Sequence, residues 1–224
     1  MDISADQVRD ALLWLIAFVV SVSVHEFGHA FVADRLGDRI PRLQGRLTLS
    51  PVAHIDPIGT LLMPLLGALV PGYVPMLAWG KPVQTNPMNY TRALSRRTGH
   101  MLVALAGPAM NLLLALLASV IFLALGKAGL LSRTIASALF RYVLGLNIML
   151  MFFNLIPVPP LDGAAVLAGL LPESLQPISR ALERYGMFLF FILLLSGAMR
   201  ILMRPAGHLI DAWEGALVRM AVGT

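Results

Sequence analysis

Long apolar runs without a formal charge alternate with short polar segments along the chain. Between Asp10 and Asp34 the only charged residue is Glu26. Four further stretches carry no charge at all, at residues 57–80, 98–126, 142–161 and 185–199. A helix of about 20 apolar residues crosses the hydrocarbon core of a bilayer. The pattern therefore predicts an α-helical polytopic membrane protein with about four to six membrane segments.

The longest apolar runs predict individual helices. The first extends from about Asp6, a good N-cap residue, to about Leu36, where Gly37 supplies a C-terminal stop. Its acidic start opposes the basic region that a cleaved signal peptide needs, so we expect this helix to be retained. Further long helices are predicted at about 99–126, 132–156 and 178–203.

Apolar and polar residues alternate between Arg42 and Ser50. Leu43, Leu47 and Leu49 fall on one parity, and polar residues occupy the other. A period of two is typical of a half-buried strand. We therefore predict a short β-hairpin here, close to the end of the first helix.

Proline and glycine interrupt two apolar segments. The stretch 57–80 contains four prolines and four glycines, which favours a broken or re-entrant segment over one straight helix. The run NLIPVPPLDG at 154–163 predicts an extended turn at membrane depth, with a short apolar piece at 164–171 after it. We expect a single membrane-embedded domain over 1–224. Its core covers about 8–172, and a C-terminal span and amphipathic tail cover about 177–224.

Composition and charge narrow the class of protein. Hydrophobic residues make up 58% of the 224 residues and charged residues 13%, which excludes an ordinary soluble domain. The net charge of +5 comes from basic residues between apolar segments, which the positive-inside rule explains, so no nucleic-acid partner is expected. The chain has no cysteine, so a catalytic metal would be held by His, Asp or Glu.

His25, Glu26 and His29 form an HExxH motif within the first apolar helix. Side chains at i and i+4 project from one face of a helix, so both imidazoles can bind one zinc ion while Glu26 acts as general base. Zinc held in this way makes water acidic enough to attack an amide carbonyl near neutral pH. Ionisable groups in an apolar span are costly and usually functional, although an internal hydrogen-bonded His–Glu network is the structural alternative.

A catalytic zinc needs a third protein ligand. The candidates at or near the apolar segments are His54, Asp56, His100, Asp162 and Glu173. We favour Asp162, because prolines before it and Gly163 after it present its carboxylate on a rigid turn. His54 is the rival, with a gating or accessory metal role as a further possibility.

Three motifs together resemble the site-2 protease family of intramembrane zinc metalloproteases, in particular its compact prokaryotic branch without PDZ or CBS domains. They are HEFGH at 25–29, AGPAMN at 106–111 and FNLIPVPPLDG at 153–163. The resemblance implies that His25 and His29 are the histidine ligands, Glu26 the catalytic glutamate and Asp162 the aspartate ligand of one zinc per chain. It also implies a protease that cuts transmembrane segments, often those of regulatory proteins.

Two asparagines match further positions of the family's motifs, Asn111 in GPxxN and Asn154 at the start of the proline loop. Either amide can contact the substrate backbone or a developing oxyanion. Hydrogen bonding between helices is the alternative for both. We place both, with His54, as tentative substrate-binding residues.

The expected function is hydrolysis of peptide bonds within or near transmembrane segments of membrane proteins. The alternative is a non-proteolytic membrane zinc protein, either a transporter or an inactive scaffold, which has no need of a base at Glu26. We expect a multi-pass protein of the prokaryotic cell membrane, with the N-terminus outside and the active site towards the cytoplasm. Residues 57–80 are then re-entrant, and the eight Lys and Arg residues between 35 and 97 all face the cytoplasm. The sequence gives no oligomeric state.

A helical substrate must be extended before it can be cut, which exposes main-chain groups that are costly in an apolar environment. An edge strand beside the metal would pair with them. We expect the segment Arg42 to Ser50 to add the substrate as an extra strand. A hairpin that only packs on the membrane surface is the alternative.

Overall fold

The computed structural model describes residues 4–64, 78–91, 93–129 and 135–222, and within these ranges it contains helices and loops but no β-strand. Its α-helices are α1 (Ala5–Arg35), α2 (Ile40–Leu43), α3 (Arg96–Lys127), α4 (Ile135–Asn154), α5 (Asp162–Leu170), α6 (Gln176–Leu195), α7 (Ala198–Leu202) and α8 (Arg204–Val222). Short 3₁₀ turns lie at Pro51–Ala53, Pro87–Asn89 and Glu173–Leu175, and a π-helix at Pro57–Leu62.

Three of the described helices are long and apolar enough to cross a membrane: α1, α3 and α4. A fourth span is possible if the C-terminal helices act together, although they bend by 86° at a break after Leu195. The span predicted at about 178–203 is therefore not one continuous helix, because α6 ends at Leu195 and α7 begins at Ala198. Gly197 adopts φ +76 at the break, a conformation that an L side chain rarely adopts.

The ends of α1 follow from local capping. Ser4, rather than Asp6, is the N-cap, and it forms a capping box with Gln7. Gly37 lies beyond the C-terminus with φ +104, so the predicted stop is in place. The helix is 31 residues long, which places its polar residues 25–29 well inside the span, towards the C-terminal end.

The predicted β-hairpin at 42–50 is wrong. Pro41 lies in the first turn of the short helix α2, and the Arg46 N–H closes a turn onto the Pro41 carbonyl at 2.8 Å. Burial opposes the strand pattern: Leu43 and Leu49 are 83% and 56% exposed, whereas Arg46 is 5% exposed. The Arg46 guanidinium donates to the carbonyls of Ala53 and Lys81, so the buried residue of this loop is its cation. The alternation therefore belongs to a loop in which Arg46 binds main-chain carbonyls. Residues 42–50 form no strand to which a substrate could be added.

The segment predicted to be re-entrant is only partly described, because residues 65–77 lie outside the described ranges. Before them, Asp56 caps the π-helix by accepting from two N–H groups. After them, the chain runs without helix from 78 to 86. The Thr91 N–H then donates to the Leu36 carbonyl at 2.6 Å, so the chain returns to the end of α1 that it left.

Close packing of α1 against α3 brings the two helices together at the polar residues. A Cβ on Gly28 would lie 2.7 Å from the Ala106 carbonyl oxygen, so only glycine permits this approach. On the other side of α3, a cluster of buried apolar side chains joins α3, α4 and the C-terminal helices; its largest fully buried members are Leu144, Ile148 and Met199. This packing holds α1, α3 and α4 as a rigid frame.

Candidate metal centre

His25 and His29 lie one turn apart on the face of α1 that packs against α3. Both are buried, and their Nε2 atoms are 3.0 Å apart. Gly107 of α3 lies directly against the two rings, where a Cβ would come within 2.5 Å of His29 Nε2 and 2.6 Å of His25 Cε1. The absence of a side chain on α3 therefore creates the space in which the imidazoles meet.

The second nitrogen of each imidazole has an acceptor. His25 Nδ1 is 2.6 Å from Asn111 Oδ1, and His29 Nδ1 is 2.7 Å from the Val103 carbonyl oxygen. Both acceptors lie on α3 and require a proton on Nδ1. In the neutral rings, each Nε2 then carries a lone pair directed towards the other histidine and towards Asp162.

Asp162 brings a third acceptor to the same point. Its Oδ2 is 3.2 Å from His25 Nε2 and 3.4 Å from His29 Nε2, and it is buried without a hydrogen-bond partner. Asp162 is the first residue of α5, where the proline turn ends. A Cβ on Gly163 would meet the Leu155 carbonyl oxygen at 2.3 Å, so glycine lets α5 begin directly against the end of α4.

Arg97 fixes the other end of α5. Its Nε and Nη2 donate to the carbonyls of Ala168 and Gly169 at 2.6 and 2.9 Å. These are carbonyls of the last turn of α5, where a cation also complements the helix dipole. The helix that carries Asp162 is therefore tied to α3 at its C-terminus and to α4 at its N-terminus.

The three groups fit a tetrahedral zinc ion. Ligand bonds of about 2.0–2.1 Å separate the ligand atoms of a tetrahedral site by about 3.3 Å. The observed separations are 3.0, 3.2 and 3.4 Å. Three lone pairs that converge without a donor between them repel one another unless a cation joins them. Among the described residues, this is the single group of three or more His, Cys, Asp or Glu side chains that could hold a metal.

Glu26 lines the same cavity as the three acceptors. The cavity has a volume of about 420 Å³, and its walls come from α1, α3, the end of α4, α5, α6, the proline turn and the segment 82–85. Glu26 Oε2 accepts a hydrogen bond from the Val83 N–H at 2.9 Å. A carboxylate beside three metal-binding atoms, in a cavity large enough for a short peptide segment, can accept a proton from water there.

The tentative substrate residues lie in three different environments. Asn154 lines the cavity, and its amide nitrogen donates to the Leu150 carbonyl at 3.0 Å. Asn111 is fully buried behind His25 and does not line the cavity. His54 is buried under the loop 46–53, with Nε2 2.8 Å from the Thr48 carbonyl oxygen, and the structure does not bring it to the metal cluster. A functional role of His54 stays a prediction.

Sequence reasoning missed two parts of the site. One is Asn147 of α4, which bonds to Asn111 and Ser21. An amide in an uncharged apolar helix is the same signal that identified Asn111, so this residue could have been found. The other is the Val83 main chain, for which no signal exists in the sequence, because every residue except proline has an N–H.

Comparison with known proteins agrees with this geometry. The model of peptidase family M50 matches residues 13–135 and 127–197. YwhC of Bacillus subtilis, whose name describes it as a candidate zinc metalloprotease, is 34% identical over 183 residues, covering 80% of this chain and 78% of YwhC. Rip2 of Mycobacterium tuberculosis, named in the same way, is 35% identical over 182 residues, covering 79% of this chain and 64% of Rip2.

Rip2 of Mycolicibacterium smegmatis is 31% identical over 208 residues, which are 88% of this chain and 74% of that protein. No solved structure matches the chain significantly. The family match extends over the two histidines, Glu26, Asn111 and Asp162, and so includes every residue of the cluster. The chain belongs to peptidase family M50, the site-2 protease family of intramembrane zinc metalloproteases.

Proposed function

We propose that His25, His29 and Asp162 hold one catalytic zinc ion, and that Glu26 is the general base for hydrolysis of peptide bonds in transmembrane segments of membrane proteins. The observation that carries this proposal is the convergence of two Nε2 atoms and one carboxylate oxygen within 3.4 Å of one another. The Asp162 carboxylate oxygen is buried without a hydrogen-bond partner, which costs stability unless another group, such as a metal ion, binds it.

Each residue of the site has a separate role in this proposed mechanism. Zinc in such a site supplies Lewis-acid chemistry, which makes water acidic and polarises a carbonyl. Glu26 takes the proton from the attacking water and returns it to the leaving amine. The Val83 N–H holds the carboxylate of Glu26 on the cavity wall. Asn111 and Val103 hold the two imidazoles in one tautomer.

We propose that the side chain of Asn154, which comes just before the proline loop, contacts the substrate. It lies at the C-terminal end of α4 and lines the cavity. Its nitrogen is bonded to its own helix, so its oxygen is available to a main-chain N–H of an extended peptide. Such a contact would position the scissile bond beside the metal.

The segment 79–84 is the surface along which we propose the extended substrate to lie. The N–H groups of Trp79 and Lys81 donate to the carbonyls of Gly59 and His54, and that of Val83 donates to Glu26. In an extended chain, alternate N–H groups point to opposite edges. The edge that carries Gly80 and Gln84 has no main-chain partner among the described residues and can pair with a substrate strand.

The active site faces the cytoplasm under this proposal. α1 ends at Arg35, and exposed cations at Arg39, Arg42, Lys81 and Arg96 surround the same end of the bundle. Basic residues flank the cytoplasmic ends of spanning helices. The protein is then a multi-pass protein of the cell membrane that cuts its substrate near the cytoplasmic surface. No observation favours a transporter or an inactive scaffold.

The proposal is tested by metal content and cleavage in one set of variants. The purified parent protein should contain about one zinc per chain. In cells that co-express it with a tagged single-span substrate, the parent should release a truncated product. Asp162→Ala should lose both, whereas Asp56→Ala, which alters a helix cap outside the cluster, should retain zinc. Full zinc content and full cleavage in Asp162→Ala would show that the ligand set is wrong.

A further inference from the structure

A buried chain of side-chain hydrogen bonds leads from His25 away from the cavity and into the helix bundle. His25 Nδ1 bonds to Asn111 Oδ1 at 2.6 Å, Asn111 Nδ2 donates to Asn147 Oδ1 at 2.8 Å, and Asn147 Nδ2 donates to Ser21 Oγ at 2.8 Å. Asn111, Asn147 and Ser21 have no exposed surface. The chain links α1, α3 and α4, and the proposed catalysis leaves Asn147 and Ser21 without a role.

The orientation of the Asn111 amide decides whether His25 can bind a metal through Nε2. The oxygen and nitrogen of an amide have nearly the same shape, so packing does not distinguish them and hydrogen bonds must. Asn111 Nδ2 faces Asn147 Oδ1 and the Ser21 carbonyl oxygen, which is 3.2 Å away. A reversed amide would face these two acceptors with its own oxygen, and would offer an N–H instead of an acceptor to His25.

Asn147 is oriented in turn by groups that cannot reverse. Its Nδ2 donates to the Val143 carbonyl at 2.7 Å as well as to Ser21 Oγ. The Ser21 hydroxyl donates to the Ala17 carbonyl at 2.7 Å, so its lone pair is left to accept from Asn147. Asn111, Asn147 and Ser21 thus each donate to a main-chain carbonyl. A carbonyl can only accept, so it fixes which atom of each side chain is the donor.

We propose that Asn147 and Ser21 are positioning residues of the metal site, which orient the Asn111 amide and thereby fix the proton of His25 on Nδ1 and its lone pair on Nε2. His29 needs no such relay, because its Nδ1 bonds directly to the Val103 carbonyl. The inference rests on the proposed zinc site, and it assigns the two histidines different means of reaching the same tautomer.

The alternative is that Asn147 only joins helices, as polar side chains in membrane proteins often do. That role predicts a loss of stability without a change at the metal. The two roles separate in a zinc titration of the purified full-length protein in detergent, with a chelator as competitor. Cobalt substituted for zinc reports the ligand geometry through its visible spectrum, independently of peptidase activity.

Two buried serines of α1 provide a matched pair of variants. Ser21 and Ser23 both donate to the carbonyl four residues earlier, at 2.7 and 2.6 Å, but only Ser21 accepts from Asn147. Ser21→Ala should weaken zinc binding several-fold and change the cobalt spectrum. Ser23→Ala should leave both unchanged, with a comparable effect on thermal unfolding of the metal-free protein.

Asn147→Leu acts one step further out than Asn111, so it should weaken zinc binding by no more than the about 10- to 100-fold found when the outer partner of a metal ligand is removed. If Asn147 acts through Asn111, the double variant with Asn111→Leu should bind zinc no more weakly than Asn111→Leu alone. If Asn147→Leu does not fold, the serine pair decides.

Unchanged zinc affinity and an unchanged cobalt spectrum in Ser21→Ala would overturn the inference, as would additive losses in the double variant. These outcomes are independent of the proposed function. A parent that binds zinc but cleaves no substrate contradicts the peptidase, while the titration still decides the relay. If the parent cleaves substrate but Ser21→Ala and Asn147→Leu bind zinc as tightly as the parent, only the relay is contradicted.

Discussion

The carboxylate of Glu26 accepts a hydrogen bond from the main-chain N–H of Val83, with 2.9 Å between Oε2 and N. The proposed base is thus held by a segment 57 positions further along the chain. A main-chain donor persists through any side-chain change except the introduction of proline. The position of the base is therefore coupled to the path of the chain, not to the nature of the side chain at 83.

Val83→Pro should reduce cleavage about 10- to 100-fold while the zinc content stays at that of the parent. The reason is the loss of one hydrogen bond to a charged carboxylate, which contributes about 1.5–3 kcal/mol. Val83→Ala keeps the N–H and serves as the control in an assay with a substrate identified by co-expression. Equal turnover by the two variants would show that the bond to Glu26 does not position the base.

Gly107→Ala should abolish zinc binding or weaken it at least tenfold, because the added methyl would lie 2.5 Å from His29 Nε2. Gly145→Ala is the matched control on α4, where a Cβ would meet nothing within 4 Å and alanine favours a helix. Metal analysis of both purified variants checks the prediction. Parent-like zinc content in Gly107→Ala would mean that α1 and α3 are not packed as closely as described.

Gln84→Pro tests the proposed path of the substrate. It removes an N–H from the open edge of the segment 79–84 and leaves the bond between Val83 and Glu26 in place. We expect cleavage to fall several-fold with normal zinc content, whereas Gln84→Ala should cleave like the parent. If both variants cleave normally, the substrate does not pair with this edge.

Cysteine labelling tests the topology cleanly, because the chain has no native cysteine. Asp6→Cys should react with a membrane-impermeant maleimide from outside the cell. Arg39→Cys and Leu94→Cys should react only from the cytoplasmic side, since the chain leaves α1 at Leu36 and returns to it at Thr91. Labelling of Arg39→Cys and Leu94→Cys from opposite sides would contradict a re-entrant path between them.

Much of the frame could be predicted from the sequence because charge is so scarce in it. Uncharged runs predicted α1, α3 and α4 to within a few residues at the described ends. The spacing of His25 and His29 predicted a shared helix face, and the prolines before Asp162 predicted a fixed turn. The structure brings these three side chains together, although His29 and Asp162 are 133 residues apart in the sequence.

The errors have physical causes that a single sequence does not display. Alternation at 42–50 predicts a strand, but Arg46 is buried there because it binds two carbonyls, and Leu43 and Leu49 are exposed. The break at Gly197 falls in an apolar run that is continuous in composition. Contacts made by a main-chain N–H, such as that of Val83, depend on the path of the chain and leave no mark on residue type.

The central claim is that Glu26 acts as a base beside a zinc ion held by His25, His29 and Asp162. The most direct measurement is the zinc content and the turnover of Glu26→Gln, determined on the same purified sample as the parent. An amide has the shape of the carboxylate but cannot take a proton from water at neutral pH. We predict about one zinc per chain in both proteins, and substrate cleavage by the parent alone. Undiminished cleavage by zinc-loaded Glu26→Gln would contradict the mechanism.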